Sequence, residues 1–169
     1  MTNRGLEPLY NVGCVLRAFA IVQLRHPDAS LTIAHDGPCR PHLEALASEL
    51  GLKAVCFIGK VPPERIPQLY DNADLYLCSP DIDNMPGSLL ECFASGLPVI
   101  ATKAGGIPYI VADEVTGFLA PCNDPAALAA RALRLLDNPQ IAREAAARAH
   151  VRQSRAQSRR KGIYGDHCI

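Results

Sequence analysis

Short, almost wholly apolar runs alternate with segments of helical periodicity along most of this chain, and that alternation restricts its fold more than any other feature. Leu31–Ala34, Ala54–Ile58, Leu75–Cys78 and Pro98–Ala101 are four such runs, with Gly117–Ala120 a weaker fifth. Their lengths suit strands, and continuous apolarity is expected of strands covered on both faces. Between them lie helical patterns. Val12, Val15, Leu16, Phe19 and Val22 predict an amphipathic helix over Tyr10–Arg25, broken at Pro27-Asp28. Leu43, Leu46, Ala47 and Leu50 mark a second, closed by Gly51, and Pro62–Asn72 reads as a short third. Gly87–Ser95 is a fourth, with Gly96 placed to cap it. Asp124-Pro125 supplies an N-cap and a first-turn proline for Ala126–Leu136, and a further helical stretch runs over Pro139–Ser158.

Strands that alternate with helices of this length are joined in parallel by right-handed crossovers. The expected class is therefore α/β: a doubly wound, mostly parallel, Rossmann-like sheet. Residues 1–139 form the expected domain, and residues 140–169 a C-terminal helix with an irregular basic tail. Ligands in such sheets bind beyond the carboxyl ends of the strands. That rule selects the loops Asn3–Tyr10, His35–Cys39, Gly59–Pro63, Ser79–Gly87 and Ala101–Pro108.

Composition narrows the function. Formal net charge is zero, so no overall field holds nucleic acid. Aromatic residues make up 5 % and Trp is absent, which argues against a platform of stacking rings. The seven Cys form no C-x-x-C pair, and most lie in apolar runs. They read as small buried hydrophobes in a reducing setting. No apolar run approaches membrane-spanning length, and Met1–Asn11 lacks the apolar centre of a signal peptide. A cytoplasmic location is expected. Between Arg143 and Lys161 stand seven Lys/Arg against one Glu, so contact with an acidic partner or the inner face of a membrane is a second option for the tail.

Ser79–Gly106 reads SPDIDNMPGSLLECFASGLPVIATKAGG. It resembles the donor-site signature of the retaining GT-B glycosyltransferases known as family 4 or group 1. In that signature two acidic residues separated by seven open a helix, followed by a small-Gly-x-Pro-Val-Ile strand and a Gly-Gly turn. Here the pair is Asp83 and Glu91, with Asp in place of the usual first Glu. The likeness runs from about Asn3 to Pro139, through IAHDGP at Ile33–Pro38, FIGKV at Phe57–Val61 and GFLA at Gly117–Ala120.

The resemblance implies transfer of a sugar from a UDP- or GDP-sugar with retention of anomeric configuration, and no further cofactor. It assigns Glu91 to the ribose diol. Asp83, with the backbone of Asn84, Met85, Pro86 and Gly87, takes hydroxyls of the donor sugar. The helix opening at Gly87-Ser88 points free N–H groups at the diphosphate, as helix N-termini do. Arg4 matches the family's basic residue after the first strand and would neutralise the departing diphosphate. The Lys that often follows has no counterpart at Leu9-Tyr10. Gly59, Lys60 and Val61 are expected beneath the nucleobase. Tyr109 stands where a Glu is common, and His35 where a Gly is usual. Asp81-Ile82-Asp83 has the pattern of a metal motif, but Asp83 already has a role, and no metal is expected.

A complete enzyme of this type faces two Rossmann-like domains across a cleft. This sequence matches the second, so an N-terminal acceptor domain is the expected partner. Only Met1–Arg4 remain for the central first strand, which predicts a gap between its neighbours. The alternatives are a non-catalytic nucleotide-sugar-binding module and a different enzyme on the same scaffold, such as an epimerase or a phosphorylase. The Asp83…Glu91 block and the absence of a pyridoxal-type lysine context speak against the last.

Overall fold

The computed structural model describes the backbone of residues 1–164 and the side chains of residues 1–156. Five short parallel strands form its centre: β1 (Leu31–Ile33), β2 (Val55–Phe57), β3 (Tyr76–Cys78), β4 (Val99–Thr102) and β5 (Phe118–Ala120). They pair as β1–β2 and as β3–β4–β5. Thr32 lies opposite Cys56, Leu77 opposite Ile100, and Ala101 opposite Leu119.

Met1 and Thr2 join the two groups. Thr2 N–H donates to Thr32 O at 2.9 Å, and Ala34 N–H donates to Thr2 O at 2.9 Å. On the other side Leu77 N–H donates to Met1 O at 2.9 Å, and the Met1 ammonium donates to Leu75 O at 2.7 Å. Two residues thus hold the central position in the order β2–β1–(Met1-Thr2)–β3–β4–β5. The amino ends of β1 and β3 flank this segment. There an open recess of about 550 Å³ is lined by Met1, Phe19, Leu31, Leu75 and Leu77 among others.

Alternation along the strands builds a core on each face. Leu77, Ile100, Phe118 and Ala120 point to one side. They pack there against α1 (Val12–Arg25), α2 (Arg40–Glu49) and α6 (Pro125–Asp137). Tyr76, Cys78, Val99, Ala101 and Leu119 point to the other. They meet α3 (Ile66–Asp71), α4 (Gly87–Ser95) and α5 (Ile107–Ile110). The last helix, α7 (Pro139–Tyr164), returns across the domain and buries Ala142, Ala145, Ala146 and Ala149. Small side chains let its backbone approach α4 and α6 closely. Arg148 Nε donates to Val115 O at 2.8 Å and Arg152 Nη2 to Tyr109 O at 3.3 Å, so part of the basic stretch caps carbonyls of this domain. Residues 165–169 of the expected irregular tail lie outside the described residues.

The helices follow their local signals. Asp124 Oδ1 accepts from Ala127 N–H at 2.8 Å, the N-cap that the Asp-Pro pair promised. Gly96 closes α4 at φ +68°, a left-handed value that favours glycine. Three of the six described cysteines depart from the expected burial, Cys39 and Cys122 being half-buried and Cys56 exposed. Cys14, Cys78 and Cys92 are buried, but Cys56 is exposed, because β2 is an edge strand with its outer face uncovered. Cys168 lies outside the described residues. Among the described residues no helix is long and apolar enough to cross a membrane.

Candidate donor site

The carboxyl ends of the central segment, β3 and β4 converge on the amino end of α4. Ser79–Pro86, the loop that leaves β3, is clamped from three directions. Asp81 N–H donates to Leu9 O at 2.9 Å, and Ser79 Oγ to Asn11 O at 2.8 Å. Thr102 Oγ1, at the end of β4, donates to Pro80 O at 2.7 Å. Gly106 N–H donates to Asp83 O at 2.8 Å. Gly105 has φ +47°, and a Cβ on either Gly105 or Gly106 would collide with the carbonyl oxygens of Asp83 and Asn84. The glycine pair is therefore the condition for the loop's position.

Within this frame the structure brings Arg4, Asp83 and Ser88 together. Arg4 Nη2 forms an ion pair with Asp83 Oδ2, both side chains only 12 % exposed. Arg4 Nη1 donates to Ser88 Oγ at 3.3 Å. The guanidinium lies over the Tyr10 ring, 4.2 Å from its centroid. Tyr10, standing where the Lys of the family signature has no counterpart, thus supports the Arg4 cation through its π face. Arg4 Nε is buried without a hydrogen-bond partner. Pro86, the residue before α4, makes no side-chain cap, so the first N–H groups of Gly87 and Ser88 have no side-chain partner there.

Glu91 lies one turn further along α4 and is exposed. It is fixed by residues the sequence did not single out. Tyr70 on α3 donates from its hydroxyl to Glu91 Oε2 at 2.7 Å. Asn3 Nδ2 donates to the Tyr70 oxygen at 2.7 Å, and Tyr76 donates to Asn3 Oδ1 at 2.7 Å. The two rings meet edge to face, with centroids 6.2 Å apart at 83°. Burial pushes the Tyr70 phenol far above its ordinary range, with a further push from Cys92 and Glu91. Tyr76 is raised well above its ordinary range by the same cause. Both hydroxyls stay protonated across the working pH range. A buried tyrosine hydroxyl requires a partner, and a tyrosine inside an apolar pattern is the one signal that could have singled out Tyr70 and Tyr76.

Asn84 and Met85 are exposed beside this group, Met85 at 65 %. Gly59, Lys60 and Val61 follow β2 at the same edge of the sheet, two strands from Arg4. Gly59 has φ +76° and Lys60 is exposed. No hydrogen bond or ion pair among the described residues ties them to the Arg4–Asp83–Ser88 group. The two carboxylates of Asp81-Ile82-Asp83 turn to different partners, Asp81 Oδ1 accepting from Asn11 Nδ2 at 3.0 Å and Asp83 pairing with Arg4. His35 Nδ1 lies 2.7 Å from Asp36 O, and His150 Nδ1 lies 2.9 Å from Ala94 O.

An uncapped helix N-terminus, a half-buried arginine and an anchored glutamate at the carboxyl edge of a doubly wound sheet define a Rossmann-like domain of the GT-B glycosyltransferase class. Residues 4–152 match the family model for glycosyl transferases group 1, and the chain belongs to that family. It is 34 % identical over 132 residues to the D-inositol 3-phosphate glycosyltransferase of Corynebacterium kroppenstedtii, covering 73 % of this chain and 29 % of that protein. It is 31 % identical over 145 residues to the GDP-mannose-dependent alpha-(1-6)-phosphatidylinositol monomannoside mannosyltransferase of Mycolicibacterium smegmatis, covering 81 % and 38 %. The chain spans well under half the length of these relatives. Among solved structures, Anabaena Alr3699/HepE in complex with UDP-glucose superposes with a TM-score of 0.85 at 25 % identity, covering 91 % of this chain and 43 % of that one.

Proposed function

We propose that this chain is the donor-binding half of a retaining, family 4 glycosyltransferase, taking a UDP- or GDP-sugar and working with an acceptor-binding domain across a cleft. The observation that carries the reading is the assembly of Arg4, Asp83 and Ser88 at the open N-terminus of α4, one turn from Glu91.

Each group has a chemical task. As the glycosidic bond to the nucleotide breaks, negative charge grows on the departing diphosphate. Arg4 and the N–H groups of Gly87 and Ser88 are the donors placed to meet that charge. Glu91 accepts from the ribose hydroxyls. Asp83 orients Arg4 and, with the Asn84–Gly87 backbone, faces the sugar hydroxyls. Gly59, Lys60 and Val61 flank the base. A relative named for a GDP-mannose donor and a similar structure holding UDP-glucose support a nucleoside diphosphate sugar as the ligand class.

Calorimetric titration of UDP and GDP, repeated on Glu91→Ala, tests the reading. At least one nucleotide is expected to bind wild type, and Glu91→Ala to weaken it about tenfold or more through loss of charged hydrogen bonds. Failure of both nucleotides to bind wild type would overturn the donor-site reading. Sugar transfer by this chain alone would overturn its description as a half.

A further inference from the structure

We propose that Asn3 and Tyr70 are positioning residues that hold Glu91 as a hydrogen-bond acceptor and so make the site selective for a nucleoside diphosphate with an intact ribose diol. The inference rests on the reading of Glu91 as the ribose ligand and deepens it. It follows from the direction of the protons.

Each phenol has one hydrogen to give. Tyr76 gives its own to Asn3 Oδ1, which turns the Asn3 amide so that Nδ2 faces Tyr70. The Tyr70 oxygen accepts from that Nδ2, so its single hydrogen is directed at Glu91 Oε2. Glu91 therefore meets the relay as an acceptor at Oε2. Burial holds the protons on both phenols, Tyr70 being 3 % exposed and Tyr76 fully covered, so this polarity persists.

The anchorage also fixes where Glu91 can reach. A glutamate on a helix surface samples several rotamers, and freezing one has an entropic cost. The relay from the central segment through α3 removes that freedom before any ligand arrives, which is preorganisation of the site. A ligand that profits from a fixed pure acceptor presents two adjacent donors, and a ribose 2′,3′-diol does so. Its dideoxy counterpart does not. Asn3 stands one residue before Arg4, so the same short segment places both the diphosphate cation and the ribose relay.

The test compares UDP with 2′,3′-dideoxy-UDP, and GDP with 2′,3′-dideoxy-GDP, by calorimetry on wild type, Tyr70→Phe and Asn3→Ala. Tyr70→Phe keeps the ring and its edge-to-face contact, and thermal melts verify that each variant is folded. Wild type should prefer the ribonucleotide by about 30-fold or more, the scale of hydrogen bonds to a charged group. In both variants that preference should fall to about fivefold or less, with dideoxy affinity unchanged. A structural role alone would weaken both ligands together and leave the ratio at its wild-type value, and that result overturns the proposal. Wild type that binds neither ribonucleotide removes the donor-site reading and this inference with it. Wild type that binds without preferring the diol removes the ribose role of Glu91 and this inference with it, while nucleotide binding at the end of α4 still stands.

Discussion

The Arg4–Asp83 pair is the most consequential single contact at the site, and its strength can be worked out. Both side chains are 12 % exposed. At a contact separation of about 3 Å and an effective dielectric of about 20, the attraction is about 5 kcal/mol. Removing two ions from water offsets much of it. Breaking a buried pair by removing one partner costs about 3–5 kcal/mol, and residual solvent contact places this pair near the lower figure. Asp83→Asn leaves the guanidinium with Ser88, the Tyr10 ring and a buried Nε that already has no partner. Arg4→Met leaves a carboxylate without a cation. Each should cost about 3 kcal/mol. Unfolding entropy of about 2.1 cal/mol/K per residue gives roughly 0.35 kcal/mol/K for a chain of this length, so each midpoint should fall by about 8 °C. The double variant should cost hardly more than either single one, giving a coupling of about 2–3 kcal/mol. Denaturant unfolding of all four proteins measures this cycle. Costs that add to within about 0.5 kcal/mol would show that the pair does not form in solution, and would refute the reasoning.

Three further outcomes follow from packing and exposure. Gly106→Ala drives a Cβ into the Asn84 carbonyl, so it should cost about 1–3 kcal/mol in denaturant melts and weaken nucleotide binding by displacing the Asp83–Asn84 loop. Thr2 Oγ1 is buried without a hydrogen-bond partner; Thr2→Val removes an unpaired hydroxyl at nearly constant shape and should raise stability by about 1 kcal/mol in the same melts. Burial pushes the Cys78 thiol up to about 12 and the Cys14 thiol up to about 11, where Asp81 adds to the effect. At pH 8 iodoacetamide should therefore label exposed Cys56 long before Cys14 or Cys78 in the folded chain, as peptide mass mapping would show; equal rates would contradict the burial pattern.

What the sequence disclosed, and what it withheld, divides along physical lines. Periodicity placed α4 on Gly87–Ser95 with its glycine cap, and Asp124-Pro125 placed the start of α6, because both signals are local. The runs of β3, β4 and β5 were legible because burial on both faces leaves no polar alternation to confuse them. The four-residue helix α5 was not legible; a single turn carries no period, and the Gly105-Gly106 turn before it reads as loop. The Asn3–Tyr70–Glu91 relay was hidden for a different reason. Its members lie 67 and 21 residues apart, and only the folded sheet and α3 bring them together. Arg4 and Asp83 were each visible as candidates from the family signature, but spacing carried no sign that they pair with each other. The exposure of Cys56 depended on β2 lying at a sheet edge, which strand order decides and local hydropathy does not.

The central claim is that a nucleoside diphosphate lies along the amino end of α4 with its ribose on Glu91. A crystal structure of this chain with UDP or GDP tests it most directly. The account predicts diphosphate oxygens within hydrogen-bond reach of Arg4 and of the Gly87 and Ser88 N–H groups, with both ribose hydroxyls on the Glu91 carboxylate. A nucleotide bound elsewhere, such as in the recess between the amino ends of β1 and β3, with Glu91 untouched, would contradict it.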